Sequence, residues 1–183
     1  NGDGVVDDND RDIIGNPNPD FTYGFQTKVS WKSLSLSASF NGVQGRDILN
    51  VGNRYNNTPG TKSNNVTRKA FQNMWTDENP SNLYPKSTFV VQNMVMDRYV
   101  EDGSYLRCSD ITLSYVLPAK WTNKIGIKNT SVYASVKNAF VITDYSGYDP
   151  EVNSFAFDGL RPGVDMNSYP TPRSFVFGLN LTF

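Results

Sequence analysis

The chain begins with a stretch in which oxygen-bearing side chains alternate with glycines, NGDGVVDDND. An EF-hand calcium loop spaces its oxygen ligands in this way around a glycine that makes a sharp turn. If the first residue takes the second ligand position of such a loop, Gly4 falls on the turn. The remaining positions then fall on oxygen donors, and the predicted calcium ligands are Asn1, Asp3, Val5 through its backbone carbonyl, Asp7 and Asp10.

Two features of this stretch depart from the standard calcium loop. The first ligand would precede Asn1, and Asp10 stands where the standard loop has a bidentate glutamate. The alternative is an acidic surface turn, because Asn, Asp and Gly favour turns without any metal. We favour the calcium site, and the incomplete loop suggests that the sequence starts inside a longer segment.

Composition excludes several functions. The 183 residues suggest a single domain, and a net charge of −1 gives no electrostatic footprint for DNA or RNA. The chain has no histidine, which removes histidine-based catalytic triads and imidazole metal sites. Its one cysteine, Cys108, has no internal disulfide partner. These absences remove only histidine- and disulfide-based chemistry; we expect no enzymatic activity, and the acidic residues of the loops are the one catalytic alternative to weigh.

Alternating apolar and polar residues are the dominant pattern, and 13% of the residues are aromatic. In WKSLSLSASF, leucine, alanine and phenylalanine alternate strictly with serine, which indicates a β-strand with one apolar and one polar face. The same alternation predicts strands from Phe21 to Trp31, in SYLRCSDITLSYVL, in TSVYASVKNAFVIT and in RSFVFGLNLTF. The chain is therefore predicted to be all-β, with five antiparallel strands.

The connections between these strands alternate between short and long. The first and third are a few to about a dozen residues, whereas the second and fourth span residues 45–103 and 144–172. Short periplasmic turns and long extracellular loops are typical of an outer-membrane β-barrel. In that arrangement Trp31, Trp121 and Phe183 form an aromatic girdle at the periplasmic rim.

A barrel reverses the usual meaning of the two faces. The apolar face contacts lipid, while the serines, Lys28, Lys137 and Asp110 face a polar lumen. By the same alternation Cys108 falls on the lumen side, as a small buried residue rather than a reactive thiol. Five strands are too few to close a membrane barrel, so the chain is predicted to be part of a larger one.

The sequence resembles the C-terminal part of SusC/RagA-family TonB-dependent transporters of the Bacteroidetes outer membrane. The resemblance rests on NGDGVVDDND, IIGNPNPDFTYGF, WKSLSLSASFNGVQG, DRYVEDGSYLRCSDITLSYVLP, VKNAFVITDYSGYDPEV and SYPTPRSFVFGLNLTF. It implies that residues 1–183 supply the last five strands of a 22-stranded barrel, whose plug domain and earlier strands precede them. It also implies TonB-driven import of oligosaccharides or oligopeptides, with a SusD-like surface lipoprotein as a lid.

The final strand ends in an aromatic residue preceded by alternating apolar residues, which looks like the signal recognised by the barrel-assembly machinery. We therefore expect a lipid-facing assembly signal at Phe175, Phe177, Leu179, Leu181 and Phe183. A lipid-facing strand with an aromatic girdle accounts for the same residues, and both interpretations can hold together.

The long loops offer further candidates. NNVTRKAFQNMW predicts a short helix with Val66, Ala70, Phe71 and Trp75 on one face. The loop carboxylates Asp149, Glu151, Asp158 and Asp165 invite comparison with a glycosidase pair, but scattered loop carboxylates are usually solvated, and we expect no catalysis there. Two other functions stay open, namely a passive porin and a secreted or surface calcium-stabilised β-sandwich binding module.

Overall fold

The computed structural model describes residues 4, 7–58, 65–87, 95–122, 127, 129–151, 154–155 and 157–182. Its β-strands are β1 (Phe21–Trp31), β2 (Leu34–Gln44), β3 (Asp47–Asn50), β4 (Val100–Asp102), β5 (Tyr105–Val116), β6 (Asn129–Thr143), β7 (Val164–Asp165) and β8 (Ser174–Thr182). The α-helices are α1 (Val51–Asn57), α2 (Arg68–Asn73) and α3 (Ala119–Thr122), and two 3-10 turns cover Asp8–Asp10 and Asp97–Tyr99. No helix in this part of the chain is long and apolar enough to cross a membrane.

Five long strands form one antiparallel sheet in the order β1-β2-β5-β6-β8. These are the five strands predicted from the alternating pattern, each within a few residues of its predicted bounds. The five long strands lie side by side in the same order in which they occur along the chain. Each long strand is therefore joined to its neighbour in the sheet by a turn or a loop at one end of the sheet. This up-and-down order is that of a barrel wall.

One face of this sheet is a band of exposed apolar side chains. Leu36 pairs with Val29 on one side and with Leu113 on the other, and these three are between 45% and 64% exposed. The band continues to Phe175 and Phe177, which are 66% and 79% exposed. Such a continuous apolar surface suits lipid rather than water.

The opposite face carries the polar residues. Asp110 pairs with Ser39 and Lys137, and its carboxylate accepts hydrogen bonds from the hydroxyls of Thr112 and Ser135, both at 2.7 Å. Tyr133 lies over Gly178, where the ring would overlap any larger side chain. The predicted polar face is therefore confirmed for β5 and β6.

A β-bulge at Ser109 changes the expected faces of β5. Ser39 pairs with Asp110 but the next residue of β2, Phe40, pairs with Cys108, so Ser109 has no partner of its own on β2. The extra residue moves Cys108 to the apolar face, and the prediction that it faces the lumen is wrong. The prediction that it is a small buried residue is confirmed, since its side chain has no exposed surface.

Two phenylalanines account for the burial of Cys108. Phe40 on β2 and Phe140 on β6 flank it in register, and their ring centroids are 6.4 Å apart. Because the rings approach each other above the central strand, only a small side chain fits beneath them. The two rings therefore account for the small, fully buried side chain at this position.

The two long loops fold into a separate layer at one end of the sheet. β3 pairs antiparallel with β4 and parallel with β7, which joins the loop of residues 45–103 to the loop of residues 144–172. The largest fully buried side chains include Ile48, Pro150 and Asp165, so much of the hydrophobic and polar core lies in this layer.

The short helix predicted in the first long loop is confirmed as α2, which is capped by the hydroxyl of Thr67 accepting from the backbone N–H of Ala70. Its predicted apolar face is only partly correct. Ala70 is fully buried, but Phe71 is 63% exposed. Trp75 lies beyond the helix and donates its backbone N–H to Tyr84.

Candidate functional site

Arg107 is the centre of a buried ionic cluster at the end of the sheet where the long loops lie. It sits on β5 beyond the bulge, and its pairing with Asn41 and Val141 places it on the polar face. Only 5% of the residue is exposed. A buried guanidinium requires carboxylate partners, because burying an unpaired charge is costly.

The partners come from the loop that follows β6. Arg107 Nη2 lies 2.5 Å from Asp149 Oδ1, and Arg107 Nε lies 2.9 Å from Glu151 Oε2 without the alignment of a hydrogen bond. Glu151 Oε1 also accepts from the hydroxyl of Tyr105 at 2.6 Å and from the amide of Asn41 at 3.0 Å. Three positions on the polar face of the wall therefore hold one loop.

Backbone donors complete the environment of Asp149. Its two oxygens accept the backbone N–H groups of Glu151 at 3.0 Å and of Thr171 at 2.9 Å. Burial raises the pKa of Asp149, but these donors and the Arg107 guanidinium outweigh that effect, and the pKa lies below its usual range. Asp149 is therefore ionised at neutral pH and pairs with Arg107 as a charge.

A second polar cluster lies beside the first, within the loop layer. The hydroxyl of Tyr145 donates to Asp165 Oδ2 at 2.7 Å, and Asp165 Oδ1 accepts the backbone N–H of Ser168 at 2.9 Å. Burial and the adjacent carboxylate raise the pKa of Tyr145 above its usual range, so it is a permanent hydrogen-bond donor. The cluster therefore links the beginning of this loop, at Tyr145, to its later part, at Asp165 and Ser168.

The expectation that the loop carboxylates are solvated is wrong for Asp149 and Asp165, whereas Glu151 is exposed. Asp149 and Asp165 are 3% and 2% exposed. Asp158 forms an ion pair with Arg161 at 3.1 Å. Each of these carboxylates is bound by a hydrogen bond or an ion pair to another residue of the chain, and these contacts stabilise the loops.

Two of the predicted calcium ligands lie in the described part of the chain. Asp7 caps the first 3-10 turn by accepting from the backbone N–H of Asn9 at 2.8 Å, and Asp10 Oδ2 accepts from the backbone N–H of Asp7 at 3.1 Å. Asn1, Asp3 and Val5 lie outside the described residues. Among those that are described, no three acidic, cysteine or histidine side chains come together as a metal-binding group.

Four residues of the predicted assembly signal lie on one face of β8. Phe175, Phe177, Leu179 and Leu181 are between 43% and 79% exposed. They pair with the apolar side of β6, for example Leu179 with Val132. Phe183 lies outside the described residues. Their role in barrel assembly stays a prediction.

Comparison with known proteins identifies the fold. The chain is 34% identical over 191 residues to "TonB-dependent receptor P26" of Formosa agariphila, with all of this chain and 19% of that protein covered. It is 34% identical over 190 residues to "TonB-dependent receptor SusC" of Bacteroides thetaiotaomicron, with all of this chain and 17% of that protein covered. The chain belongs to the SusC/RagA family of TonB-dependent receptors. No protein-family model matches it.

Solved structures of the SusC/RagA family agree with this assignment. The RagAB peptide importer in its open-open state is similar with a TM-score of 0.76 and 30% identity, over 93% of this chain and 18% of that one. The closed-closed state of the same importer gives a TM-score of 0.75. The chain is thus a C-terminal portion of an outer-membrane β-barrel, and it spans less than a fifth of the length of the curated relatives it matches.

Part of the Arg107 cluster can be recognised in the sequence. An arginine inside the strand pattern SYLRCSDITLSYVL is a buried-charge candidate, because its neighbours are strand-forming residues. Its partner Asp149 is 42 residues away in sequence, in a loop where period-two patterns give no guidance. Only the register of β5 and the path of the loop bring the two together.

Proposed function

We propose that the whole protein imports oligosaccharides or oligopeptides across the outer membrane. The import is driven by TonB, and a SusD-like lipoprotein covers the extracellular side as a lid. The observation that carries this proposal is a wall with an exposed apolar band on one face and loops pinned over its polar face. Membership of the SusC/RagA family supports it, and the relative of known structure is named a peptide importer.

The loop layer suits an extracellular vestibule. Arg107, Asn41 and Tyr105 on the polar face of the wall hold Asp149 and Glu151 of the last loop in place. A vestibule of fixed shape reduces the entropy that is lost when a substrate or a lid binds. A passive porin would not need energy from TonB, so uptake measurements with and without TonB distinguish it from an active importer.

Uptake measurements test the proposal. Cells that carry the intact gene, a gene deletion or a disrupted tonB would be given mixed oligosaccharides and mixed oligopeptides, and depletion of each from the medium would be followed. We expect depletion of one class to require both the gene and TonB. Uptake that survives loss of TonB would indicate a passive porin and contradict active import.

The lid is tested on the purified protein. Outer membranes extracted in mild detergent would be fractionated through an affinity tag on the transporter, and co-purifying proteins would be identified by mass spectrometry. We expect one lipoprotein in near-stoichiometric amount. Purification of the transporter without such a lipoprotein, from membranes that were never exposed to harsh detergent, would contradict the lid.

The alternative of a β-sandwich binding module has less support. A sandwich covers its apolar face with a second sheet. In the described residues the apolar band of the long sheet is exposed, and the three-stranded sheet lies in the loop layer at its end.

We also propose that the first residues form a calcium-stabilised extracellular loop. Asn1, Asp3 and Val5 precede Asp7 and Asp10, whose carboxylates already lie on one turn. The spacing supports an extracellular site of about 10⁻⁴–10⁻³ M affinity. Calcium should protect this segment from proteases in the native transporter, and Asp3→Asn should remove the protection while Asp12→Asn keeps it. Equal protection with and without calcium would contradict the site.

A further inference from the structure

A polar pocket lies where the two long loops meet. Its volume is about 580 Å3, which is within the range of sites for small molecules. Its lining comes mainly from the loop of residues 45–103, and Ser146 adds a hydroxyl from the other loop. Leu83 is the one aliphatic residue among the described residues that line it.

A chain of hydrogen bonds fixes the amides on one side of the pocket. Glu101 Oε1 accepts from Asn53 Nδ2 at 2.8 Å, and Asn53 Oδ1 accepts from the amide of Asn57. Asn57 Oδ1 in turn accepts from the hydroxyl of Thr67 at 2.5 Å. Within the described residues, these bonds use one N–H and one lone pair of each amide and leave one of each for a ligand. The pocket therefore presents oriented donors and acceptors, as recognition of hydroxyl groups requires.

The same pocket carries positive charge. Lys69 and Arg98 both line it, and none of its described lining residues is acidic. Lys69 is exposed, and its side chain forms no ion pair with the described residues. Arg98 is held by a hydrogen bond from Nη2 to the carbonyl of Leu83. The Glu101 carboxylate behind this lining is already bonded to Asn50, Asn53 and Ser146, so the two cations favour an anionic ligand.

Tyrosine side chains supply the remaining surface. Tyr84 lines the pocket next to Leu83, and its carbonyl accepts the backbone N–H of Trp75 at 3.0 Å, which fixes the position of this segment. Tyr99 is buried, and its hydroxyl bonds Thr58 at 2.9 Å. Aromatic rings beside polar groups suit a ligand that has both apolar C–H surfaces and hydroxyls.

We propose that this pocket binds an acidic saccharide unit of the imported substrate. Its carboxylate lies beside Lys69 and Arg98, and its ring hydroxyls bond the amides of Asn53 and Asn57. A saccharide suits this lining because its hydroxyls pair with the amides while its C–H faces lie against the tyrosine rings. This inference deepens the proposed import function and rests on it.

Binding to the purified full-length transporter, with its lipoprotein if one co-purifies, tests the proposal. The probes are uronate oligosaccharides from hydrolysed pectin, alginate and glucuronan, their carboxyl-reduced neutral counterparts, and an acidic tripeptide. Isothermal titration would be run at low and high salt. We expect at least one uronate oligosaccharide to bind about tenfold more tightly than its neutral counterpart, with a preference that falls as salt rises.

Matched variants locate the binding. Lys69→Gln should weaken uronate binding about five- to tenfold and leave binding of the neutral counterpart within twofold. Lys86→Gln is the control, because Lys86 lies in the same loop but pairs with Asp77 at 3.8 Å and lies outside the pocket lining. Asn53→Ala should weaken both saccharides, since the amide contacts hydroxyls.

Three results would overturn the pocket. These are no binding by any uronate oligosaccharide, equal binding of the neutral counterparts or the acidic tripeptide, and equal effects of Lys69→Gln and Lys86→Gln. Uptake in cells without TonB separates this failure from that of the proposed function. If uronate binding depends on Lys69 but uptake does not require TonB, active import is refuted and the pocket is not. If uptake requires TonB but Lys69→Gln leaves uronate binding unchanged, the pocket is refuted and active import is not.

Discussion

Arg107 and Asp149 form an ion pair that joins the wall of the barrel to the long loop that follows β6. The two side chains are 6% and 3% exposed, and the nitrogen and oxygen are 2.5 Å apart. Removing one member of such a pair leaves a buried charge without a partner, whereas removing both charges does not. The pair is therefore one of the main contacts that hold this loop on the polar face of the wall, together with those of Glu151 to Tyr105 and Asn41.

Substitution of this pair should release the loop. Arg107→Gln leaves the buried Asp149 carboxylate without its guanidinium partner, which costs about 3–5 kcal/mol of docking free energy. Limited proteolysis of the native transporter should then cut this loop at least tenfold faster than in the wild type. The double variant Arg107→Gln, Asp149→Asn should recover part of the protection, because both charges are gone.

The control for this experiment is Arg161→Gln. Arg161 pairs with Asp158 in the same loop, but its side chain is 62% exposed, so the pair contributes about 1 kcal/mol or less. Equal cleavage of Arg107→Gln and Arg161→Gln would show that the buried pair does not hold the loop.

The docking of the same loop should depend on pH in one direction. The pKa of Asp149 is lower in the folded protein than the ordinary value of about 3.9, so its contribution is complete above that value and is lost as pH falls through the folded pKa. Hydrogen exchange of residues 144–151, corrected for intrinsic rates, should stay constant from about pH 8 to pH 5. Loosening already between pH 7 and pH 5 would contradict the assignment.

The wall was predictable from sequence because lipid and lumen impose opposite polarity on alternate residues. Leu36, Leu113 and Val132 lie where the pattern places them. The bulge at Ser109 was not predictable, since one extra residue leaves the composition of the strand unchanged while reversing the faces beyond it. Strict alternation therefore places Cys108 on the wrong face of the sheet.

The loop layer was much less predictable. Short strands such as β7, with two residues, are too brief for any period to be recognised. The contacts that hold the layer join distant positions, such as Asn41 and Glu151, which are 110 residues apart. Tertiary contacts rather than local preference decide the structure there.

Cys108 should be unreactive until one of its covering rings is removed. In the wild-type transporter, with any other cysteines of the whole protein replaced, a membrane-permeant maleimide should leave Cys108 unmodified. Phe40→Ala opens a cavity beside the thiol and should allow most of the protein to react. The control Phe177→Ala lies on the same face two strands away, and reaction equal to that of Phe40→Ala would contradict the arrangement.

The C-terminal assembly signal can be separated from simple lipid contact. Phe177→Asn and deletion of Phe183 should each reduce the heat-modifiable, assembled fraction severalfold if the assembly machinery reads this strand. Phe25→Asn removes an equally lipid-facing ring, 51% exposed, from β1 and should reduce the fraction only slightly. If all three variants reduce the assembled fraction equally, a specific assembly signal is contradicted and lipid contact alone explains these residues.

The five-stranded sheet is a barrel wall whose apolar band faces lipid, and this orientation can be measured directly. Fluorescent labels at Leu36→Cys and Ser37→Cys, in a transporter with Cys108→Ala and no other cysteine, would be reconstituted into brominated-lipid vesicles. Leu36 lies on the apolar face and Ser37 on the polar face of the same strand. Strong quenching at position 36 and little at position 37 is the predicted result. Equal quenching at both positions, or the reverse order, would contradict the account.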